Sequence, residues 1–301
     1  MKARTLADVG EDALIARLVK HLPLGPEVLA GPGDDCAVVK SPAPGKNWLL
    51  LKTDAVVENL HFLPAAAPAA VGWKAACRAV SDIAAMGGWP AHALVTVIAP
   101  PAASAAWLEG VYRGLAKAAR RFGFSIVGGE TCGAPAGAPV ILNVAMTGEV
   151  EPARCVRRDG ARPGDALCVT GRLGGSLASG RHLRFTPRLA EARWLVSHFK
   201  PSAMMDLSDG LAKDLPRLAA MSGVGWALET ARIPRHRGCL LEHALGDGED
   251  FELLFALPSR QLSGLLAAWP QAFPRLPLSV IGRVEKAGLQ TPLLRGGFAH
   301  F

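Results

Sequence analysis

The chain has 301 residues, of which half are hydrophobic and a fifth are charged. This length suffices for two domains, and the composition excludes both a disulfide-stapled miniprotein and a chain that is disordered throughout. Lysine and arginine exceed aspartate and glutamate by 33 to 26, so the formal net charge of +7 favours an anionic partner such as nucleic acid, a phosphorylated metabolite or a membrane surface.

Neither the cysteines nor the N-terminus indicates a secreted or membrane-bound protein. The six cysteines stand singly, without C-x-x-C spacing, and are predicted to be small buried hydrophobic residues. The N-terminus lacks the apolar region of a signal peptide, and no stretch of roughly 18 residues is free of charges and helix breakers. We therefore expect a reduced, cytoplasmic chain that does not enter the membrane.

The first half of the chain is predicted to mix helices and strands. Apolar residues at helical spacing indicate a helix over 11–22, and a Gly/Pro-broken loop, GPGDDCAVV, leads from it to a strand that ends at Asp54. A helix-forming run over 69–86 is almost free of polar residues, and Asp82 lies inside it, where a buried carboxylate needs a partner. The next predicted elements are a strand over 91–99, a helix over 104–123, and strands over 125–129 and 139–150.

A segment rich in proline, arginine and glycine, over 151–165, is the best domain boundary in the chain. Strands and helices continue to alternate after it, which predicts two α/β or α+β domains over residues 1–150 and 151–301. The predicted elements of the second half are strands over 166–171, 203–209, 225–229, 251–257 and 279–284 and helices over 187–197, 211–221 and 260–268.

Several familiar catalytic motifs are absent from the sequence. It has no G-x-x-x-x-G-K-[ST] phosphate loop, no kinase H-R-D or D-F-G motif, no G-x-S-x-G turn and no H-E-x-x-H zinc helix. The Gly-rich segment over 171–180 could hold phosphate, but it lacks the dinucleotide-binding spacing and is equally well explained as a tight turn.

Half of the acidic residues are concentrated in short segments, where they stand beside glycine, serine or threonine. If such strand-end carboxylates converge on one cleft, they supply the oxygen ligands that Mg²⁺ prefers, and the glycines let the backbone approach phosphate oxygens closely. The pattern therefore favours a nucleotide site that uses Mg²⁺ and no phosphate loop. These 13 of the 26 acidic residues are Asp34, Asp35, Asp54, Glu58, Asp82, Glu130, Asp206, Asp209, Asp214, Asp247, Glu249, Asp250 and Glu252.

Each of these segments also has a purely structural interpretation. Aspartate before glycine is common in turns, which is the default role of Asp247, and Ser-Asp commonly caps a helix, which suits Asp209 before the helix at 211. Asp214 is predicted to be solvated or to interact with the helix dipole. Arg158 is either a solvated linker residue or a phosphate contact, and His61 is by default a structural histidine.

Taken together, the segments resemble the thiamine-monophosphate kinase family, part of a superfamily with aminoimidazole ribonucleotide synthetase and selenophosphate synthetase. The likeness runs essentially from end to end, and the combination of TDAVVENLHF, SDIAAMGG and the closing HF is more specific than any single motif. The matching segments are GEDALIARL, GPGDDCAVV, KTDAVVENLHF, VGWKAACRAVSDIAAMGGWPAHA, IVGGET, RRDGARPGD, MDLSDGLAKDL, SGVG, GDGEDFELLF, VIGRV and GFAHF.

The resemblance implies a fold, a reaction and a set of site residues. The fold would have an N-terminal mixed-sheet domain that binds ATP and Mg²⁺ and pairs in a homodimer, and a C-terminal α/β domain that completes the cleft. The reaction would convert thiamine monophosphate and ATP to thiamine diphosphate and ADP. By the resemblance, Mg²⁺ would be bound by Asp35, Thr53, Asp54, Asp82, Glu130, Asp206 and Asp209, ATP by Gly129, Glu130, Arg158 and Ser208, and thiamine monophosphate by His61, Glu249 and Phe298.

The residue types are consistent with such a reaction. A phosphate monoester has a second pKa of about 6, so its accepting oxygen is largely deprotonated at neutral pH and needs no catalytic base. Positioning and charge neutralisation are what the protein has to provide, and a cleft rich in aspartate and poor in bases suits that task. We expect direct in-line transfer without a phosphoenzyme.

Four positions depart from the family pattern. Lys52 stands where a serine or threonine is usual, Glu130 replaces an aspartate, Ala79 replaces an asparagine and Phe251 replaces a tyrosine. The first two changes bear on the number of metal ions and on turnover. They are also the best support for the alternative hypothesis, a non-catalytic or altered-substrate relative that binds nucleotide or thiamine phosphate.

Nucleic-acid binding is the remaining interpretation of the positive net charge. The basic residues are dispersed, and no aromatic-interleaved patch or recognition motif accompanies them. Because half of the acids are concentrated in the motif segments, the net charge conceals an acidic cleft in a basic body. That distribution favours a metal-bridged nucleotide and a small phosphate ester over DNA or RNA.

Overall fold

The computed structural model of the protein describes residues 5–42 and 47–298. Two six-stranded mixed sheets form its framework, the first from residues 28–150 and the second from residues 166–291. Helices pack against both sheets, so the predicted α/β class is confirmed. The closing HF of the sequence motif lies outside the described residues.

The first sheet contains β1 (Val28–Ala30), β2 (Ala37–Lys40), β3 (Trp48–Val57), β4 (Trp89–Ala99), β5 (Ser125–Gly133) and β6 (Ile141–Val150). Their order is β1-β2-β3-β6-β4-β5, and only β4 and β5 pair in parallel. Central β6 is buried at every second residue, as expected for a strand with one covered face. β5 is an edge strand, and every one of its residues except Ile126 is exposed.

Two long helices, α3 (Pro68–Ala85) and α4 (Ala105–Phe122), pack on each other and on the first sheet. Two glycines allow this close approach. A Cβ atom on Gly72 would lie 1.9 Å from the Val111 carbonyl oxygen, and one on Gly114 would lie 2.0 Å from that of Ala69. Any larger residue at either glycine would push the helices apart.

The second sheet contains β7 (Ala166–Thr170), β8 (Ala203–Asp206), β9 (Gly225–Leu228), β10 (Leu253–Leu257), β11 (Leu278–Glu285) and β12 (Gln290–Thr291). Their order is β12-β9-β11-β7-β10-β8, and only β12 and β9 pair in parallel. β7, β8 and β10 are buried at every residue, because separate hydrophobic clusters cover the two faces of this sheet. Their continuous apolar sequences follow from this double burial.

The remaining helices are α1 (Leu6–Val9), α2 (Glu11–Leu18), α5 (Leu189–His198), α6 (Leu211–Ser222), α7 (Leu241–Gly246) and α8 (Ser259–Ala272). Among the described residues no helix combines the length and apolar character that crossing a bilayer requires.

The C-terminal part of α3 packs against both sheets and so sets the geometry of the site. Val80 and Ile83 belong to the core of the first sheet, whereas Ala84 and Ala85 belong to a core that includes Met204 of β8. Small alanine side chains permit this contact with the second sheet. The two polar residues between these contacts, Ser81 and Asp82, are thereby held between the two sheets.

Short elements account for most differences from the sequence-based expectations. The segment predicted as a loop ends in β2, and α1, β1, α7 and β12 were not predicted, because elements of two to six residues show no clear periodicity. The helix predicted over 11–22 is α-helical only to Leu18 and continues as a 3₁₀ turn to His21. The expectation of six buried cysteines was wrong, since Cys132 is exposed on the edge strand.

Candidate active site

Three buried carboxylates from distant parts of the chain meet where the two sheets adjoin. Asp35 lies just before β2, Asp82 in the last turn of α3 and Asp206 at the end of β8. One oxygen of each lies within 4.8 Å of the corresponding oxygens of the other two. We call this group the aspartate triad.

A hydrogen bond between the two halves of the chain fixes part of the triad. Ser81 of α3 donates from Oγ to Oδ2 of Asp206 over 2.6 Å. Asp206 is held in register by β10, where it lies opposite Leu253. A buried carboxylate is costly without such a partner, so this bond helps to define how α3 sits against the second sheet.

The triad carries more negative charge than its immediate partners balance. Burial raises the pKa of Asp206 to about 7, and the charge of Asp35 adds to this effect. Burial also raises the pKa of Asp82 well above its usual range, although Lys52 opposes the shift. The pKa of the adjacent Asp34 is raised to about 6, again by burial and by Asp35. A bound cation would relieve this repulsion.

The donor set of the triad suits a hard divalent cation. Mg²⁺ prefers carboxylate oxygens and commonly completes its shell with water and substrate phosphate. In the described part of the chain this group includes no cysteine or histidine, which a typical zinc site would supply. The residues therefore fit Mg²⁺.

Arg158 is fixed against the triad. Its guanidinium donates from Nη2 to Asp35 Oδ1 over 2.6 Å and from Nε to Oδ2 over 3.2 Å. Its backbone N–H donates to Asp34, and its carbonyl accepts a hydrogen bond from Ser222. The interpretation of Arg158 as a solvated linker residue was therefore wrong.

Two further basic residues project into the acidic site. Lys52 Nζ lies 2.9 Å from Asp82 Oδ1, and Arg78 Nη2 lies 2.9 Å from Asp54 Oδ1. Burial acts to lower the pKa of Lys52, but Asp82 and Asp54 outweigh it and raise that pKa above its usual range. Both side chains are therefore positively charged at neutral pH.

Glu249 is held by two positively charged side chains and by a backbone with a positive φ angle. Its carboxylate accepts hydrogen bonds from Lys74 over 2.7 Å and from Arg78 over 3.2 Å. The φ angles of Glu249 and Phe251 are 54° and 52°, in the left-handed region that residues other than glycine rarely adopt. Such a conformation persists only where surrounding contacts enforce it, so the direction of the Glu249 side chain is strongly determined.

His61 lies beside this network. Its Nδ1 accepts a hydrogen bond from the Val57 N–H over 3.1 Å, and its carbonyl accepts one from Lys74 over 2.6 Å. Burial lowers the pKa of Lys74 to about 8, with Glu249 opposing the shift. The contacts of His61 satisfy the structural interpretation and leave a substrate role as a prediction.

An apolar cavity of about 430 Å³ adjoins His61. It has the mixture of apolar walls and a few polar groups that is typical of small-molecule sites. Its walls include Leu60, His61, Phe62, Leu63, Leu177, His182 and Leu183.

Asp209 and Asp214 form a second acidic group at the start of α6. Asp209 accepts a hydrogen bond from Arg217 over 2.6 Å and lies 3.2 Å from Lys213 Nζ. The helix cap is Gly210, without a side-chain hydrogen bond, so the prediction that Asp209 caps the helix was wrong. Asp214 is fully buried and accepts a hydrogen bond from the Asp209 N–H, so the prediction of a solvated residue was also wrong.

The other predicted site residues lie outside the triad. Thr53 donates from its hydroxyl to Asn143, and Glu130 is exposed on β5. Gly129 has a packing reason to be glycine, since a Cβ atom there would lie 1.9 Å from the Val95 carbonyl oxygen. The Ser208 carbonyl accepts a hydrogen bond from the Glu249 N–H, and the Asp209 carbonyl accepts one from the Phe298 N–H. Their binding roles stay predictions.

Asp247 does more than turn the chain. Its Oδ2 accepts a hydrogen bond from the Gly175 N–H over 2.7 Å, and neighbouring Asp250 accepts one from Gly174. The two carboxylates thus hold the Gly-rich segment over 171–180, which supports the turn interpretation of that segment.

Sequence reasoning missed Lys74, Arg78 and Ser81 as parts of the site. All three lie on the apolar helix α3, and each faces a carboxylate that is remote in sequence. The available signal was the helical spacing of Lys74, Arg78 and Asp82, which places them on one face of the helix.

The model of the family "AIR synthase related protein, N-terminal domain" matches residues 33–150. The thiamine-monophosphate kinase of Salmonella typhimurium is 33% identical over 92% of this chain and 90% of its own.

Solved structures show the same similarity. One described as "AaThiL complexed with AMPPCP and TMP" is 32% identical, with a TM-score of 0.84 and complete coverage of both chains. The thiamine monophosphate kinase of Aquifex aeolicus has a TM-score of 0.77 at 31% identity, over 95% of this chain and 97% of its own.

Proposed function

The chain belongs to the thiamine-monophosphate kinase family, and on that premise we propose that it transfers the γ-phosphoryl group of ATP to thiamine monophosphate, giving thiamine diphosphate and ADP. The observation that carries the proposal is the aspartate triad, with one oxygen of each residue within 4.8 Å of the others at the meeting of the two sheets. Metal-assisted phosphoryl transfer needs such a cluster of oxygen ligands. The similarities favour this enzyme over the non-catalytic alternative.

Asp35, Asp82 and Asp206 would hold Mg²⁺ in this proposal. When bound there, Mg²⁺ supplies charge neutralisation for the phosphoryl group in transfer. The family resemblance also implies Thr53, Asp54, Glu130 and Asp209 as ligands, but in this structure Asp54 and Asp209 already pair with arginines.

The protein's own residues would position the two substrates. Arg158 is already fixed by its pair with Asp35, next to the triad. A contact with ATP would therefore cost this side chain little further conformational freedom. Gly129, Glu130 and Ser208 are proposed with it as contacts of ATP. The apolar cavity beside His61 suits the ring systems of thiamine monophosphate, with Glu249 and Phe298 as the other proposed contacts.

No side chain has to remove a proton from the acceptor. The second pKa of a phosphate monoester is about 6, so the attacking oxygen is largely ionised at neutral pH. This agrees with the site, where the acids greatly outnumber neutral bases and His61 is engaged by the Val57 N–H. Transfer would be direct, by positioning and charge neutralisation.

We also propose a homodimer formed through residues 1–150, with residues 151–301 completing the site. The support is β5, an exposed edge strand that carries Gly129 and Glu130, since unpaired edge strands pair readily with another chain. Exposed apolar side chains on the same sheet, Leu51, Leu94 and Val127, add to this support. A cytoplasmic location stays a prediction from the sequence.

The experiment that tests the proposed function mixes purified protein with ATP, Mg²⁺ and thiamine monophosphate and separates the products by chromatography. We expect equal amounts of thiamine diphosphate and ADP, formed over many turnovers. Thiamine in place of its monophosphate is the matched control and should give no product. Tight binding of both substrates without thiamine diphosphate would contradict the proposal.

A further inference from the structure

Ten acidic and basic side chains lie in two ion-paired groups, one around the triad and one around Arg78, and the charge of Lys52 acts on Asp82 of the first group and on Asp54 of the second. Arg158 pairs with Asp34 and Asp35, and Lys52 pairs with Asp82. Arg78 joins Asp54 to Glu249, which Lys74 also contacts. We call these ten side chains the cleft network: Asp34, Asp35, Asp54, Asp82, Asp206, Glu249, Lys52, Lys74, Arg78 and Arg158.

The charges of the cleft network leave room for one divalent cation. When all ten groups are ionised, six negative and four positive charges leave an excess of two negative charges. One divalent cation at the triad would cancel this excess. Without the charges of Lys52 and Arg78 the excess would be four, which would favour a second divalent cation.

The position of Arg78 is that of a counter-ion for Asp54. Its Nη2 occupies the place beside Asp54 Oδ1 at 2.9 Å, and its Nη1 reaches Glu249. Its buried Nε–H has no hydrogen-bond partner among the described residues. An unpaired buried donor is costly, so this guanidinium is held by its charge partners despite an unsatisfied group.

Lys52 has the same relation to Asp82. Its Nζ lies 2.9 Å from Asp82 Oδ1, and only 23% of its side chain is exposed. The ammonium thereby stands next to one member of the triad. A divalent cation that used this same oxygen together with Asp54 would have to approach two fixed positive charges.

We infer that Lys52 and Arg78 serve as built-in cations that replace one divalent metal ion at Asp54 and Asp82, so that the protein binds a single divalent cation, at the triad. This inference rests on the proposed function in one respect, namely that a divalent cation binds the triad. Both residues are positioning residues for that site, because they set its charge.

The test counts Mn²⁺ ions bound to the full chain without nucleotide, by the electron paramagnetic resonance signal of free Mn²⁺ and by calorimetry. The unaltered protein should bind one ion. The double variant Lys52→Met, Arg78→Met keeps side chains of similar length without charge, and it should bind two ions. Equal numbers in the two proteins would overturn the inference, as would two ions in the unaltered protein.

Matched variants separate charge from folding. Lys52→Arg and Arg78→Lys keep the charges and should keep one ion. Arg193→Met removes a similarly exposed arginine, paired with Glu151 outside the cleft network, and should also keep one ion. Circular dichroism and the thermal transition establish that each variant is folded.

If the double variant does not fold, the single variants decide the question. Lys52→Met and Arg78→Met each remove one positive charge and should tighten binding of the first Mn²⁺ at least about tenfold. Unchanged affinity in both would overturn the inference. Absence of any Mn²⁺ binding by the unaltered protein would instead contradict the metal site of the proposed function.

Discussion

Asp206 and Asp209 are three residues apart in the motif DLSD, yet they lie in opposite electrostatic surroundings. Asp206 accepts a hydrogen bond from the Ser81 hydroxyl and lies among other acidic side chains. Its pKa is raised to about 7, chiefly by burial. Burial also acts on Asp209, but Lys213 and Arg217 outweigh it and lower the pKa of that carboxyl. Charge balance, more than proximity in sequence, therefore determines which acid is open to a cation.

The largest effect is expected from Asp206→Asn. Asparagine can still accept the Ser81 hydrogen bond, but it removes one of three charged ligands of the triad. We expect kcat/KM for thiamine diphosphate formation to fall about 1,000-fold, since losing one electrostatic contact to the transition state has effects of this size. The free energy of unfolding, measured in urea, should not fall, because a repelled charge is removed.

A loss of activity smaller than tenfold in Asp206→Asn would contradict the claim that Asp206, and not Asp209, is open to a metal ion. Ser81→Ala is the companion variant. It leaves the charge of Asp206 in place and removes only the hydroxyl, so a smaller loss of activity is expected.

Glu130→Gln tests a proposed site residue that is exposed, whereas Asp206 is buried. Glu130 lies on the edge strand β5, so its replacement should leave the thermal transition unchanged. If Glu130 contacts the metal-bound nucleotide as proposed, kcat/KM for ATP should fall about 100-fold. Undiminished activity would remove Glu130 from the site. Thr131→Val, at the neighbouring exposed position, is the matched control.

Asp250 tests how burial, the largest of several effects on its pKa, acts on a carboxylate outside the triad. It accepts hydrogen bonds from Gly174, with Arg181 3.6 Å away, and burial raises its pKa to about 7. An acid with a raised pKa stabilises the fold fully only below its unfolded pKa of about 3.9, and this contribution is lost as pH rises towards 7.

Asp250→Asn should therefore gain stability relative to the unaltered protein as pH rises from 5 to 8. We expect the difference in unfolding free energy to change by about 2 to 3 kcal/mol over this interval, and not to change further above it. Urea unfolding at intervals of one pH unit measures it. A difference that stays constant with pH would show that Asp250 is ionised throughout.

The smallest effect on the reaction is expected from Asp209→Asn. Because Arg217 and Lys213 already neutralise Asp209, we expect a loss of activity of about tenfold or less. Stability should fall by about 1 to 2 kcal/mol, since two bases lose a charged partner. A loss as large as that of Asp206→Asn would contradict the distinction between the two aspartates.

The sequence predicts the acids of the site better than it predicts their partners. Asp35, Asp82 and Asp206 stand in motifs with glycine or serine, and the apolar run around Asp82 shows that this carboxylate is buried. Their roles as ligands stay predictions until an ion is observed. The partners could not be foreseen, because Arg78 meets Glu249 across 171 residues of sequence.

The fold shows the same limit. Long elements such as α3, α4 and β6 are predicted within a few residues, since their periodicity spans several turns or alternations. Asp214 was misjudged because it lies on α6, which packs into the core of the second sheet, so that its side chain is buried there. Contacts of this kind are set by tertiary packing.

Crystals grown with Mn²⁺ test whether charge balance selects the metal site, because the anomalous signal at the manganese absorption edge locates each bound ion. We expect one peak enclosed by Asp35, Asp82 and Asp206, and none beside Asp54 or Asp209. A peak beside Asp54 or Asp209 with none at the triad would contradict the claim that charge balance selects the metal site.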